Sequence, residues 1–377
     1  MLSWKLILVP EIQDLQIKTL GTLKMKLEDF GYNETLEEFR IGHNIGKAET
    51  GRIIAEHKER YIVKTTEGET EAEITGNMRF CAKSREDFPA VGDWVGITAY
   101  DPGLAIIHTI FPRSSVLKRQ AVNQYGEIQL IAVNVDFAFI VQALDRDYSI
   151  NRIERYLTIC NASNIKPVIV LTKTDLLEAE KVTVCINQIK ERIKDISVIA
   201  VSNLTHAGYD VVNGLFEKGK TYCLLGSSGV GKSTLLNNLS SMEVMKTGEI
   251  GHGTNRGKHV TSHRELFLLD NGGILIDNPG LREVGIADTS GGLETTFSGI
   301  SELAEKCRFK NCTHTGETGC AVTNAIKNGE LDEESYQNYI KMLKERAHFE
   351  TTVSERRKKD KIFGKILKDY NKNFRDQ

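Results

Sequence analysis

The chain has 377 residues, more than one ordinary domain holds, so two or three are expected. Its hydrophobic share of 40% and charged share of 27% argue against disorder, and no apolar run approaches the ~18 residues needed to cross a membrane. The formal net charge of -2 does not by itself point to nucleic acid, but charge is segregated: from Lys341 to Gln377 there are twelve basic and six acidic residues, leaving -8 on the remainder. A basic tail on an acidic body suits an electrostatic arm for RNA, and equally a solvated helix of mixed charge.

In chain order, residues 1–44 read as a leader and a short helix around Leu27–Phe39. The apolar stretch Leu6–Val9 ends at Pro10, too short for a secretory core, which points to the cytoplasm. Met25 is an alternative start. Residues 45–118 alternate apolar and polar between glycines, as in Gly51-Arg-Ile-Ile, Tyr61-Ile-Val, Ala72-Glu-Ile, Val91-Gly-Asp-Trp-Val and Ala105-Ile-Ile, which predicts a small β-barrel or sandwich. Lys58, Arg60, Tyr61, Lys64 and Trp94 are its candidates for contacting single-stranded RNA, although Trp94 suits the core better. Over 119–289 apolar runs at Phe137–Val141, Pro167–Leu171, Val198–Val201 and Thr221–Leu225 alternate with helical stretches at Asn151–Ala162, Glu178–Ile193 and Ala207–Phe216. This is βαβ alternation, which implies a mainly parallel sheet, and Glu265–Leu269 with Gly273–Asp277 adds a strand pair. Over 290–377 a cysteine cluster is followed by helical runs Glu333–Arg346 and Val353–Tyr370.

Residues 226–233, Gly-Ser-Ser-Gly-Val-Gly-Lys-Ser, fit the pattern G-x-x-x-x-G-K-[ST] between a strand and a helix. Backbone N–H groups of Gly226, Ser227, Ser228, Gly229, Val230 and Gly231 would cradle phosphate oxygens. Lys232 would reach the β- and γ-phosphates, and Ser233, with Thr234 beside it, the magnesium end. Ahead of this loop, Thr172-Lys173-Thr174-Asp175 ends a strand. The Asp175 carboxylate could accept both N1–H and the exocyclic amine of guanine, selecting GTP over ATP, and the Lys173 stem would lie along the base. Thr172 stands where the usual motif has Asn. Val201-Ser202-Asn203 would add contacts to the base. Behind the loop comes Asp277-Asn278-Pro279-Gly280, where Asp277 would hold magnesium and the Gly280 N–H would sense the γ-phosphate. Leu281 follows, where many GTPases carry a water-positioning Gln, so His259 and Thr261 in Gly257-Lys-His-Val-Thr-Ser262 become the candidate catalytic and magnesium-closing residues. The order is base reader, loop, Asp-x-x-Gly rather than loop, Asp-x-x-Gly, base reader. It is the order of a circularly permuted GTPase.

Cys307-x4-Cys312-x-His314-x5-Cys320 offers three thiolates and an imidazole, a complete tetrahedral set with no open position, which predicts one structural zinc. Cys81, Cys160, Cys185 and Cys223 read as scattered small hydrophobes.

Together these residues resemble the ribosome small-subunit-dependent GTPase A family, over about 45–325. The resemblance rests on the permuted order 172–175, 201–203, 226–233, 257–262, 277–280, on the zinc cluster, and on Val91-Gly-Asp-Trp-Val95. It implies a multidomain α/β protein: an N-terminal OB-fold β-barrel, a circularly permuted P-loop GTPase domain and a C-terminal zinc-binding helical domain. It also implies late maturation of the small ribosomal subunit with rRNA as partner, magnesium with GTP, and slow hydrolysis stimulated by that subunit. The family's roles carry to Lys232, Ser233, Thr261 and His259, with Val260 and Ser262 flanking Thr261 where the family often has Thr. The expected form is a monomer without membrane contact. Two other readings compete: a nucleotide-regulated RNA-binding module with incidental hydrolysis, which Leu281 favours, and an ATP-using P-loop enzyme with a zinc finger, which Asp175 disfavours.

Overall fold

The computed structural model describes residues 26–57, 60–120, 128–240, 264–277, 291–351, 353 and 355. A 3-10 turn at Leu27–Phe30 is followed by α1 (Glu34–Gly42), whose first turn is capped by the Asn33 side chain accepting from Leu36 N. The turn ends on Gly31 at φ 85, where a Cβ would lie 2.6 Å from the Gly219 carbonyl oxygen. Only glycine lets this segment approach the rest of the molecule so closely.

Five strands then close a barrel: β1 (Thr50–His57), β2 (Arg60–Lys64), β3 (Glu69–Ile74), β4 (Trp94–Asp101) and β5 (Leu104–Ile110), ordered β1-β2-β3-β5-β4 and back to β1. The short helix α2 (Gly76–Cys81) links β3 to β4. Period-two alternation sends Tyr61, Val63, Ala72, Ile74, Ala105 and Ile107 inward around Trp94, whose ring meets Tyr32 edge-on at 5.0 Å. Tyr61 and Trp94 are thus core residues and cannot stack on bases. Arg60 pairs with Glu71 and Glu73, and Lys64 with Glu69, so these cations lie among carboxylates. Lys58 lies outside the described residues.

Val91-Gly-Asp-Trp-Val95 has a structural explanation. Asp93 is buried and accepts two hydrogen bonds from Arg113, at 2.8 and 2.7 Å, and one from Ala90 N at 2.8 Å. A Cβ on Gly92, at φ 99, would lie 2.4 Å from the Val133 carbonyl oxygen. Val133 ends an antiparallel hairpin, β6 (Val116–Gln120) and β7 (Ile128–Val133), that connects barrel to sheet and that the sequence reading did not anticipate.

The second unit runs β8 (Phe137–Ala143), α3 (Ile150–Ala162), β9 (Lys166–Thr172), α4 (Ala179–Arg192), β10 (Val198–Ala200), α5 (Tyr209–Asn213), β11 (Thr221–Leu225), α6 (Lys232–Ser240), β12 (Glu265–Leu268) and β13 (Ile274–Asp277). These match the expected runs, with α5 shorter. Strands β10-β9-β8-β11-β13 are parallel in that spatial order; β12 is antiparallel to β13 and pairs with β1 of the barrel through Ala55 and Glu265. From β8 the chain proceeds outward through β9 and β10, then returns to β11 on the other side of β8. Ligands of such sheets bind at that reversal, beyond the carboxyl ends of the strands. One apolar core runs without a break from the barrel to the α3 and α4 face of the sheet, and a second lies under α5 and α6.

The remainder is helical: α7 (Gly292–Thr296), α8 (Ser298–Ala304), α9 (Ala321–Lys327) and α10, residues 333–351. It has its own small core, including Leu293, Phe297, Cys320 and Met342. It docks on α3, where Gly292 lies so close that a Cβ would be 2.3 Å from the Thr158 carbonyl oxygen. The proposed second half of the C-terminal helical run, Val353–Tyr370, lies almost wholly outside the described residues. Among the described residues no helix is long and apolar enough to cross a membrane.

Candidate nucleotide site and metal cluster

Five parallel strands deliver the candidate residues to one edge of the sheet. Asp145 follows β8, Thr172 to Asp175 end and follow β9, Ser202 and Asn203 follow β10, Gly226 to Lys232 follow β11, and Asp277 closes β13. Segments 100 residues apart in the chain are neighbours here because every one of these strands points the same way.

Apolar β11 is wholly buried, and α6 begins at Lys232 with Leu235, Leu236 and Leu239 on its inner face. Between them the loop needs its glycines. A Cβ on Gly226, at φ 150, would be 2.3 Å from the Val141 carbonyl oxygen; one on Gly231, at φ 94, would be 2.6 Å from Asn203 Nδ2. Val230 is buried as an anchor, while Ser228 and Gly229 are exposed at the tip and Ser227, Ser233 and Thr234 are half-buried. Lys232 Nζ donates to the carbonyl oxygens of Gly226 at 2.7 Å and Ser227 at 2.6 Å, which folds the ammonium over the loop. Burial pushes the Lys232 ammonium down to about 8, and the nearby Asp277 carboxylate acts in the opposite direction. A buried ammonium with a lowered pKa is suited to an arriving polyanion, whose charge would restore the protonated form.

The segment expected from the sequence to read the base is tied to this loop. Thr172 Oγ1 donates to the Val230 carbonyl oxygen at 2.5 Å, so the residue that departs from the usual Asn still ties β9 to the loop. Lys173 takes a left-handed backbone at φ 60, and its Nζ pairs with Asp145 Oδ2 at 2.8 Å, holding its stem across the sheet edge. The Lys173 hydrogen bond also helps hold the Asp145 carboxyl below its usual range, against burial, which raises it. Asp175 accepts from Ser202 Oγ at 2.6 Å, and the same Ser202 oxygen accepts from the amides of Leu204 and Thr205. Asn203 Nδ2 donates to the Gly231 carbonyl oxygen at 3.0 Å. The arrangement can hold a nucleotide with phosphates at the glycine loop and its base near Asp175. His259, Thr261 and Gly280 lie outside the described residues.

Asp145 was absent from the sequence reading, as were Tyr209, which donates to Asn203 from α5, and Asn238, which donates to the Tyr209 hydroxyl and the Asn203 carbonyl oxygen from α6. Asp145 offered a signal, being the first carboxylate after an apolar parallel strand. Tyr209 and Asn238 offered none, since only the packing of two helices brings them together.

Among the described residues, Cys307, Cys312, His314 and Cys320 form a group whose ligand atoms all lie within 4.8 Å of one another. His314 Nδ1 is 3.5 Å from the sulfurs of both Cys307 and Cys320, and those sulfurs are 3.9 Å apart. Three thiols and an imidazole at this separation fit a tetrahedral ion with thiolate affinity. Against the penalty of burial, hydrogen bonds from Thr323 and His314 hold the Cys320 thiol down to about 6. Tyr336 Oη donates to the His314 carbonyl oxygen at 2.6 Å, which fixes a backbone in the left-handed region at φ 64 and ties the cluster to α10.

A family model described as RsgA GTPase matches residues 110–287. One described as ABC transporter matches residues 209–372, a span that shares the strand, glycine loop and helix but lacks Thr172 to Asp175. The small ribosomal subunit biogenesis GTPase RsgA 2 of Listeria monocytogenes serotype 4b is 40% identical over 325 residues, 86% of this chain and 90% of that protein. The RsgA of Methanosarcina acetivorans is 39% identical over 316 residues, 84% of each chain. Among solved structures, YloQ, described as a circularly permuted GTPase, superposes with a TM-score of 0.55 at 26% identity, over 81% of this chain and 95% of that one. YjeQ from Thermotoga maritima gives a TM-score of 0.57 over 79% of this chain and 98% of that one; at 24% identity it speaks for the fold alone.

Proposed function

Because the chain belongs to the RsgA GTPase family and is a GTP hydrolase of circularly permuted fold, we propose that it acts in small ribosomal subunit biogenesis, as its curated relatives are named for doing, and there at a late stage of maturation. It binds the subunit and its rRNA in the GTP form and leaves after hydrolysis to GDP and phosphate. Its place of work is the cytoplasm, as a monomer. The observation that carries the reading is the convergence of Thr172 to Asp175, Ser202, Asn203, the loop 226–233 and Asp277 on one sheet edge.

Asp175 reads guanine and Lys173 packs on it, while Ser202 and Asn203 complete the base side. The loop from Gly226 to Gly231 and Lys232 hold the phosphates. Ser233 and Asp277, with Thr261, would hold magnesium, which bridges and neutralises phosphate oxygens when bound. Gly280 senses the γ-phosphate, and His259 assists hydrolysis. Cys307, Cys312, His314 and Cys320 would hold one zinc, whose contribution is folding energy in a region with little apolar core. This reading divides the chain into a leader and short helix (1–44), an OB-fold barrel (45–118), the circularly permuted GTPase domain (119–289) and a zinc-binding domain with a basic helical tail (290–377).

GTP turnover with and without purified small subunits, for the wild type and Lys232→Ala, tests it. Stimulation by the subunit in the wild type, and its loss in the variant, is expected. Turnover indifferent to the subunit would favour the second reading, a nucleotide-regulated RNA-binding module, to which Leu281 lends support.

A further inference from the structure

Tyr209 opens α5 and is almost wholly buried. Its hydroxyl lies 2.8 Å from Asn203 Oδ1 and 2.9 Å from Asn238 Nδ2. The proton assignments follow from the partners. An amide nitrogen can only donate, so Asn238 donates to the hydroxyl, and the hydroxyl donates to Asn203 Oδ1. That leaves Asn203 Nδ2 facing the Gly231 carbonyl oxygen, to which it donates at 3.0 Å. Asn238 Nδ2 also reaches the Asn203 carbonyl oxygen at 3.4 Å.

Asn238 lies on α6, the helix opened by Lys232, and Gly231 is the residue just before it. The loop after β10 is therefore tied to the phosphate loop at one point and to the helix behind it at another, with the Tyr209 hydroxyl between them. That loop also carries Ser202, which holds Asp175 at 2.6 Å. Gly208, at φ 80, brings Tyr209 into place: a Cβ there would lie 2.2 Å from the Ala200 carbonyl oxygen.

We propose that Tyr209 is a positioning residue for nucleotide recognition, setting the spacing between the base-reading loop and the phosphate loop so that guanine and phosphates are held together. The proposal rests on the reading of this edge as a GTP site. Without the hydroxyl, Asn203 loses the partner that orients its amide, and Asp175 and the glycine loop keep the Thr172–Val230 bond but lose the tie that runs through the loop after β10.

Calorimetric titration of the full chain with GDP, inosine diphosphate and inorganic tripolyphosphate tests this, for the wild type, Tyr209→Phe, Asn238→Ala and the double variant. Tyr209→Phe keeps the ring in the core, and its thermal unfolding monitors the fold; Asn238→Ala, at a half-buried site, removes the other half of the network. Loss of one hydrogen-bonded unit predicts GDP affinity about tenfold weaker in each single variant. The double variant is expected to be no weaker than the singles, because the residues act as a unit. Tripolyphosphate, which has no base, is expected to bind within about twofold of wild type, and the preference for GDP over inosine diphosphate to shrink. Unchanged GDP binding, equal losses for GDP and tripolyphosphate, or additive single effects would overturn the proposal. A wild type that binds no GDP would sink the reading of the site itself.

Discussion

The two joints of the molecule differ in kind. The barrel meets the nucleotide-bearing sheet through backbone: β1, which closes the barrel on β4 over Thr50–Arg52, pairs with β12 at Ala55, and one apolar core crosses the joint. A charged rivet there, Arg52, is fully buried and donates to carbonyl oxygens of Phe30, Gly92 and Asn134 at 2.5, 3.1 and 3.2 Å. The helical C-terminal region meets α3 largely through side chains. Buried Glu154 accepts from Arg192 twice at 2.8 Å, from Ser335 at 3.1 Å and from Asn338 at 2.6 Å; Arg155 pairs with Glu345, Arg346 with Glu294, and Asn161 with Thr296. A backbone joint over a shared core moves as one body. A polar joint between separate cores has an alternative partner, water, and can open without unfolding either side.

The contrast can be broken at three points. Arg52→Met would leave the carbonyls of Phe30 and Asn134 without this donor and the Gly92 carbonyl with Asn134 Nδ2 alone, at a cost of about 4 kcal/mol in equilibrium denaturation, with barrel and sheet unfolding together. A loss restricted to the barrel would show that the joint is not continuous. Glu154→Gln would take from Arg192 its one buried carboxylate partner among the described residues and leave it Asn151 and the more exposed Asp332 and Glu334, at about 3 kcal/mol. Here hydrogen exchange should rise along α10 and α3 while the barrel keeps its protection; equal loss in the barrel would erase the distinction. The smallest effect concerns Lys232. Its pKa in the free protein is about 8, below the ordinary 10.5, and bound phosphates would raise it again. Affinity for GDP is therefore complete below about pH 8 and falls above it by at most about tenfold per unit, with proton uptake on binding. Glu154→Gln should leave that profile unmoved, because the glycine loop belongs to the barrel side of the comparison. An affinity independent of pH from 7 to 10 would contradict the assignment of Lys232 to the phosphates.

Local patterns carried much of this molecule. The βαβ runs, the glycine loop and the cysteine spacing are each set by neighbours in the chain, and their elements fell where the periodicity put them. What escaped depends on distant partners. The β6–β7 hairpin has only one strand of even apolar run, Ile128–Val133, and its mate, Val116–Gln120, is half polar. Tyr61 could be read as a stacking residue until closure of the barrel turned it inward beside Trp94, for which the core was already the better reading. Thr172 looked like a defect by comparison with Asn, yet its hydroxyl reaches Val230. Asp145, Tyr209 and Asn238 acquire meaning only once the sheet reverses at β8 and β11 and brings their elements together.

Strand β1 divides its outer edge between two neighbours, its first part with β4 and its later part with β12. β12 in turn runs beside the strand that ends in Asp277. A tug on Asp277 thus has a mechanical route into the barrel wall made of peptide groups alone. Point substitutions at the surface would leave that route standing, whereas inserting a single residue into β12 would put the two ladders out of step.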